Sequence, residues 1–226
     1  MTVSRQLTAT AFLTAGLLAA GGFLSAAEAK NLLKDGDFEN PQINLNKWGS
    51  SWRGSCWVWK NGLTDEAHRK RITDGQIRSL EAGSGVNNSR CGVIYSPDEL
   101  KKEQNKAGNP CMSSSILQAV ALPDSAQSQK YTLTFKVKGK TAKSPGLNSL
   151  RLFVYFYDRI PGKPGTKAVR KEIMQTVNLT EKYELRTVSF EAPAHTRRLD
   201  IWFSLYGQGK VYLDDASLVK AAASAK

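Results

Sequence analysis

The chain has 226 residues, and its 32 lysines and arginines exceed its 20 aspartates and glutamates by 12. A length of this order suits a single β-rich domain and leaves little room for several. The positive surplus indicates an anionic partner or surface, because a summed field acts on encounter and solubility. The simpler alternative is a soluble, charged surface, since the lysines are scattered along the chain.

The first 29 residues predict an export signal. One early arginine, Arg5, precedes an apolar run, and the triplet Ala27-Glu28-Ala29 is typical of a cleavage site. A membrane anchor is the alternative, but small and polar residues interrupt the run, which would be marginal for a bilayer of ~30 Å. We therefore expect a secreted or periplasmic protein without a membrane span after cleavage. Residues 30–220 would form the domain and residues 221–226 a flexible tail.

Apolar and polar residues alternate through most of the remaining chain, which predicts β-strands. In KYTLTFKVKGK, for example, Tyr131, Leu133 and Phe135 share one side of a strand. The same alternation predicts strands in LRLFVYFYDR, KAVRKEIMQTVNL, YELRTVSFEA, RRLDIWFSLYG and GKVYLDDASLV. Weaker strands are predicted at residues 31–39, 52–59, 76–81, 91–95 and 114–122. Roughly ten or eleven short strands at this spacing are typical of an all-β sandwich or jelly roll.

One short inserted helix is predicted within SPDELKKEQNKAGNPC, where Ser96 suits the N-cap and Glu99 completes a capping box. The chain has three cysteines. An exported protein meets an oxidising compartment, so one disulfide is expected. Cys91 and Cys111 flank the helix and are the favoured pair, and Cys56 with Cys91 is the alternative.

The last predicted strand, GKVYLDDASLV, carries two adjacent aspartates. Asp215 falls in the register of Val211 and Leu213, and a carboxylate that points toward a core is costly unless it is paired or bound to a cation. Near the other end of the chain, NLLKDGDFENP offers further carboxylates on an extended segment. Oxygen ligands from the two segments could hold one Ca²⁺. The alternative is that these acids are solvated or paired with lysines.

NLLKDGDFENP with the following Trp48, then KYTLTFKVKGK, then GKVYLDDASLV together resemble carbohydrate-binding modules of families 4, 9 and 22. The resemblance implies a galactose-binding-like jelly roll with a structural calcium between the first and last strands. It implies Glu39 and one closing aspartate, with Asp214 favoured, as side-chain ligands, and Asp37 as a backbone ligand. The helical insertion and the tryptophan-rich stretch 48–71 depart from the family pattern.

Two of the predicted strands carry aromatic and polar side chains on the side opposite to their apolar residues. Sugar rings stack on aromatic planes, and their hydroxyl groups need polar partners. The composition therefore predicts a sugar-binding sheet, with a second apolar layer as the alternative. The loop from Trp48 to Trp59 is another location for the site. The predicted ligand-binding residues are Trp202, Tyr206, Tyr155, Arg151, Tyr157 and Trp52.

Binding without catalysis is the predicted function. His68 and His195 lack the spacing of metal ligands, and the chain has neither a nucleophile elbow nor a strand of closely spaced glycosidase carboxylates. We expect an exported, non-catalytic protein that binds a polysaccharide, and the positive surplus favours an acidic one. The alternatives are a polysaccharide-degrading jelly-roll enzyme, either lyase or glycosidase, and a basic surface- or nucleic-acid-binding protein. The export signal argues against nucleic acid.

Overall fold

The structure is a computed structural model that describes residues 30–45, 50–58, 78–96, 112–141, 149–158 and 172–221. In these ranges the helical element is a 3₁₀ turn, Val86–Asn88. The predicted helix after Ser96 lies outside the described residues, as do the export signal and most of the tail. The strands are β1 (Arg53–Val58), β2 (Arg78–Glu81), β3 (Cys91–Ser96), β4 (Met112–Ala121), β5 (Gln129–Thr141), β6 (Ser149–Tyr157), β7 (Glu172–Val177), β8 (Glu184–Ala192), β9 (Arg198–Tyr206) and β10 (Gly209–Lys220).

The strands form two five-stranded sheets in which every pairing is antiparallel. The first sheet has the order β1-β4-β9-β6-β7, and the second has the order β2-β3-β10-β5-β8. Most neighbouring strands are distant in sequence, so each sheet depends on long-range pairing. The predicted all-β sandwich is confirmed.

The core lies between the two sheets and follows from the alternation along each strand. On β5, the apolar residues of the alternating pattern are buried while their neighbours are partly exposed. The inward residues of β9 are likewise buried, and Phe203 of β9 meets Phe135 of β5 edge-on with ring centroids 4.8 Å apart. The inward side of each sheet therefore supplies the apolar area whose burial stabilises the fold.

The segment 31–39, predicted as a strand, is irregular in the structure. Asp35 and Phe38 have left-handed backbone angles, with φ of 50° and 58°, which a strand does not accommodate. The segment is nevertheless fixed to β10. The amide of Leu32 donates to the carbonyl of Leu218 at 2.8 Å, and the side-chain oxygen of Asn31 accepts from the amide of Leu218 at 2.9 Å.

The two aspartates of β10 are separated by a β-bulge, which corrects the predicted register of Asp215. The pairing of β10 with β5 shifts between Asp214 and Ser217, and Asp215 has a left-handed φ of 47°. The bulge turns the Asp215 carboxylate outward, 2.9 Å from the ammonium of Lys136, and Ala216 is buried in its place. A side chain at Gly36 would collide with the carbonyl of Ala216, so this close approach requires glycine.

Trp52 is a core residue, which corrects its prediction as an exposed ligand-binding side chain. It is 0% exposed, and its ring centroid lies 4.9 Å from that of Phe38 and 6.4 Å from that of Phe203. Its indole N–H donates to the carbonyl of Asp35 at 2.9 Å. With its ring packed and its one donor satisfied, Trp52 fixes the N-terminal segment against the first sheet and cannot stack on a ligand.

Candidate functional site

The predicted ligand-binding residues of β6 and β9 lie side by side on the first sheet. The two strands are neighbours, and their register places Phe153 opposite Trp202, Tyr155 opposite Asp200 and Tyr157 opposite Arg198. These side chains point away from the core because their strand neighbours point into it. We call this surface the aromatic face. Its residues are Arg151, Phe153, Tyr155, Tyr157, Arg198, Asp200, Trp202 and Tyr206.

The rings of the aromatic face contact one another in a continuous row. Phe153 stacks on Tyr155 with an interplanar angle of 8° and centroids 5.9 Å apart. Tyr155 meets Trp202 edge-on at 5.8 Å, and Phe153 lies 6.1 Å from Tyr206. Phe153 is buried, whereas Trp202, Tyr155 and Tyr206 are partly exposed. The row therefore presents ring surface that is held in place before any ligand arrives.

The indole nitrogen of Trp202 is a buried donor without a hydrogen-bond partner in the described part of the chain. A buried N–H in this state costs free energy, because it has lost water and gained no acceptor. Small hydroxyl side chains lie close by on the same side of the sheet. Ser204, two residues along β9, shares a 2.7 Å hydrogen bond with Ser115 of β4, and both are buried.

Two arginines of the aromatic face lie over tyrosine rings, and they differ in their other partners. The guanidinium of Arg198 lies 4.5 Å from the ring centre of Tyr157 and donates to both oxygens of Asp200 at 2.6 Å. These hydrogen bonds raise the pKa of Arg198. The guanidinium of Arg151 lies 4.4 Å from the ring centre of Tyr206, and its Nε donates to Ser149 at 3.2 Å.

Phe153, Arg198 and Asp200 belong to the face but were absent from the predicted ligand-binding residues. The sequence contains a signal for two of them: Arg198, Asp200 and Trp202 are spaced two residues apart, which predicts that they share one side of a strand. The alternative location, Trp48 to Trp59, lies in part outside the described residues, including both of those tryptophans.

Of the predicted calcium ligands, Asp214 and Glu39 both bind the segment that connects β2 to β3. The buried carboxylate of Asp214 accepts from the amide of Val86 at 2.8 Å and from the hydroxyl of Ser89 at 3.1 Å. Burial raises the pKa of Asp214, and the backbone hydrogen bonds oppose that shift. Glu39 accepts from the amide of Arg90 at 2.5 Å.

Asp37 has different neighbours from the other two predicted ligands. Its side chain accepts from the amide of Glu39 at 3.3 Å. Together with Asp35 and Asp215 it lines a cleft of about 430 Å³. The described residues contain no group of three or more His, Cys, Asp or Glu side chains arranged to hold a metal.

Cys91 carries a free thiol in the structure, contrary to the predicted disulfide with Cys111. The residue is buried on β3, and its Sγ lies 3.7 Å from the carbonyl oxygen of Glu81. Burial raises the pKa of the Cys91 thiol, which keeps it protonated and unreactive. Cys111 lies outside the described residues, and the side chain of Cys56 is not described either.

Comparison with known proteins gives structural likeness only. No protein-family model matches the chain, and no curated protein matches it. The enzymatically active domain of tailspike protein 4 of bacteriophage CBA120 superposes with a TM-score of 0.53 at 16% identity. That match covers 84% of this chain and 21% of the tailspike chain, so this chain spans about a fifth of it. The likeness is one of fold.

The β-sandwich jelly roll implied by the family resemblance is confirmed by the two antiparallel sheets.

Carbohydrate-binding modules are also among the similar structures. TmCBM61, solved in complex with β-1,4-galactotriose, has a TM-score of 0.48 at 16% identity, over 85% of this chain and 100% of its own. The family 11 module of the Clostridium thermocellum cellulase Lic26A-Cel5E has a TM-score of 0.46 at 14% identity, over 89% of this chain and 100% of its own.

The described ranges contain no helix that is long and apolar enough to cross a bilayer.

Proposed function

We propose that the protein binds a polysaccharide on the aromatic face and does not cleave it. The observation that carries the proposal is the row of partly exposed rings around Trp202, flanked by the charged and polar side chains of the same face. Sugar rings offer C–H surfaces for stacking on such rings, and their hydroxyl groups need polar partners. The ring row extends across adjacent strands, which suits a chain of sugars.

The state of Asp200 supports binding without catalysis. This carboxylate lies on β9 at the middle of the aromatic face, and both of its oxygens accept hydrogen bonds from Arg198. A glycosidase needs one carboxylic acid that can give up a proton and a second carboxylate that acts as base or nucleophile. Both oxygens of Asp200 are occupied by the Arg198 guanidinium, so neither is free to act on a glycosidic bond.

The surplus of 12 positive charges supports an acidic polysaccharide as the ligand. Such a surplus attracts any polyanion at low salt, so it favours the class of ligand without choosing the sugar. The predicted export signal places the protein where polysaccharides are met, and it makes nucleic acid an unsuitable partner. We therefore retain secretion or a periplasmic location as part of the proposal.

Calcium is the proposed cofactor, with Asp214 as its candidate side-chain ligand. The segment around Gly85 packs closely on this carboxylate: a Cβ built at Gly85 would lie 2.8 Å from the carboxylate oxygen of Asp214 and 2.7 Å from the carbonyl oxygen of Arg90. Carboxylate and carbonyl oxygens are the ligands that Ca²⁺ takes. Bound calcium would supply the positive charge that the buried Asp214 carboxylate lacks.

A binding experiment with Trp202→Ala tests the proposed function. The protein without its leader is screened on a glycan array, and the best ligand is titrated by calorimetry at low and high salt. Trp202→Ala is expected to weaken binding by roughly tenfold or more, as for a central aromatic of an interface. The loss should persist at ~1 M salt, because stacking is not screened over a Debye length.

Tyr95→Ala is the matched control for this experiment. Tyr95 is an aromatic residue on β3 of the second sheet and is 40% exposed. Its removal should leave the affinity unchanged. A folded Trp202→Ala variant that binds like the wild type would show that the aromatic face is not the site. If no glycan binds the wild type, the proposed function is wrong.

A further inference from the structure

The two arginines of the aromatic face occupy different electrostatic states. Arg198 has its Nε and one Nη bonded to the two oxygens of Asp200, which forms a closed ion pair. Asp200 is only 1% exposed, so little of this pair's negative charge reaches solvent. A ligand carboxylate would have to compete with Asp200 for the same guanidinium. Arg198 is therefore suited to orienting Tyr157 and unsuited to binding an anion.

Arg151 has no such counter-charge. Its Nε bond to Ser149 and its position over Tyr206 hold the guanidinium plane, and no described carboxylate forms an ion pair with it. The side chain is partly exposed. Its terminal N–H groups are therefore charged donors in a fixed orientation, and a planar fork of this kind matches a carboxylate with two parallel hydrogen bonds.

The surroundings of Arg151 suit a sugar that carries this carboxylate. Ser204 lies opposite Arg151 in the strand register, and its hydroxyl is bonded to that of Ser115. Trp202, two residues along β9, offers partly exposed ring surface. A charged donor and a stacking surface thus lie next to one another at the Tyr206 end of the aromatic face.

From this geometry we infer that the Tyr206 end of the aromatic face is a specific site for a uronic acid, whose carboxylate binds Arg151. This inference rests on the proposed polysaccharide binding and deepens it. A uronic acid places a carboxylate beside a ring that can stack on Trp202, whereas a neutral sugar leaves the Arg151 donors without a partner. Binding of a uronic acid at this site would depend on a local contact with Arg151, whereas the net charge attracts any polyanion.

The test compares oligosaccharides that differ only in their carboxyl groups. Oligogalacturonate, oligomannuronate and oligoglucuronate are each titrated beside the neutral oligosaccharide made by carboxyl reduction. The measurements are made at ~1 M salt, where the Debye length is about 3 Å and diffuse attraction is screened. Wild type is expected to prefer at least one uronate over its reduced form by about tenfold or more, the effect of a charged hydrogen bond.

Arg151→Gln should remove this preference, so that the variant binds a uronate no more tightly than its reduced form. Lys140→Gln is the matched control: it removes one positive charge from an exposed position on β5 of the second sheet, and it should keep the preference. Arg151→Lys keeps the charge and loses the planar fork, so it should lose most of the preference. Unchanged melting temperatures confirm that each variant is folded.

The outcomes separate this inference from the proposed function. Equal binding of each uronate and its reduced form by the wild type overturns the uronate site and leaves carbohydrate binding intact. So does a preference that survives in Arg151→Gln. If a sulfated glycan shows the Arg151 dependence and no uronate does, the carboxylate assignment is wrong. If neither uronates nor neutral forms bind at all, the proposed function fails together with the inference.

Discussion

The two outward faces of the sandwich contain rings and cations in different states. On the second sheet, the outward side of β5 and β10 forms what we call the lysine face: Lys136, Lys138, Lys140, Lys210 and Tyr212. Lys138 and Lys210 lie 4.9 and 4.8 Å from the ring centre of Tyr212. Lys210 is also 2.9 Å from the Glu81 carboxylate, and Lys136 is 2.9 Å from that of Asp215. Most of the charge on this face has a partner within the protein.

On the aromatic face, two polar groups lack such partners in the described structure: the indole N–H of Trp202 and the terminal donors of Arg151. Both faces arise from the same alternation of side chains, and both place cations over tyrosines. Composition alone therefore does not distinguish a binding surface from a satisfied one. A charged donor without a counter-charge beside partly exposed rings does, because a ligand can supply the missing partner.

The largest expected effect concerns stability, and it tests whether the aromatic face contributes less to the free energy of unfolding than the core beneath it. Trp52→Ala should lower the free energy of unfolding by about 3–5 kcal/mol, because a fully buried ring is removed from contact with Phe38 and Phe203. Trp202→Ala should cost less than about 1.5 kcal/mol, since its ring is partly exposed. Urea denaturation measures both. Equal losses would show that the aromatic face is part of the folding core, and the comparison of the faces would fail.

The second prediction concerns Asp214, which lies opposite Lys136 in the strand register but is buried, while Lys136 pairs with Asp215 instead. Removing calcium with a chelator should lower the melting temperature, and calcium at 100 times its dissociation constant should restore about 2.7 kcal/mol. Because burial raises the pKa of Asp214, its contribution without metal should weaken as pH rises from the ordinary value toward the raised one. Stabilisation by calcium should grow over the same range, since the metal needs the deprotonated carboxylate.

Two variants decide the calcium prediction. Asp214→Ala should abolish the response to chelator in the melting temperature. Asp215→Ala should keep that response, because the neighbouring carboxylate is partly exposed and paired with Lys136. An unchanged melting curve of the wild type in excess chelator, with no metal found by elemental analysis, would rule out the site.

The smallest expected effect concerns Glu81, whose carboxylate pairs with Lys210 of the lysine face. Hydrogen bonds from Ser84 and Lys210 lower the pKa of Glu81 below its ordinary value of 4.5. The stability that Glu81 provides is therefore complete above the ordinary value and is lost as pH falls through the lowered one. Glu81→Gln should cost less than about 1 kcal/mol at neutral pH. Thermal melts should show the wild type and variant converging in acid, and a gap that does not change with pH would contradict the assignment.

Much of the fold follows from the sequence because a period of two assigns each side chain to a face. The alternation in β6 and β9 placed Arg151, Tyr155, Trp202 and Tyr206 on one side, and the structure brings them together. The prediction needed no knowledge of strand order, since both strands carry the same outward composition. Their adjacency in the sheet is a long-range property and was not available from local pattern.

Other features depended on tertiary context. The bulge in β10 moves Asp215 out of the core register. Aspartate tolerates the left-handed backbone angle found there, but the period-two alternation does not show where the register shifts. Trp52 lies beside Arg53 in a polar stretch, yet its burial comes from Phe38, which a left-handed backbone angle turns toward it. In the irregular segment that contains Phe38, apolar and polar residues alternate as they do in a strand. The segment nevertheless contacts β10 through side-chain hydrogen bonds and isolated backbone hydrogen bonds instead of a continuous ladder.

The contact between Asn31 and Leu218 brings the two ends of the described domain together. A short covalent connector between these positions would close a loop whose ends already meet, so its entropic cost would be small. New termini could then be opened in the turn between β4 and β5, at residues 122–128, without cutting a strand. The domain is thus a candidate for circular permutation, or for insertion into a surface loop of another protein, with the aromatic face left whole.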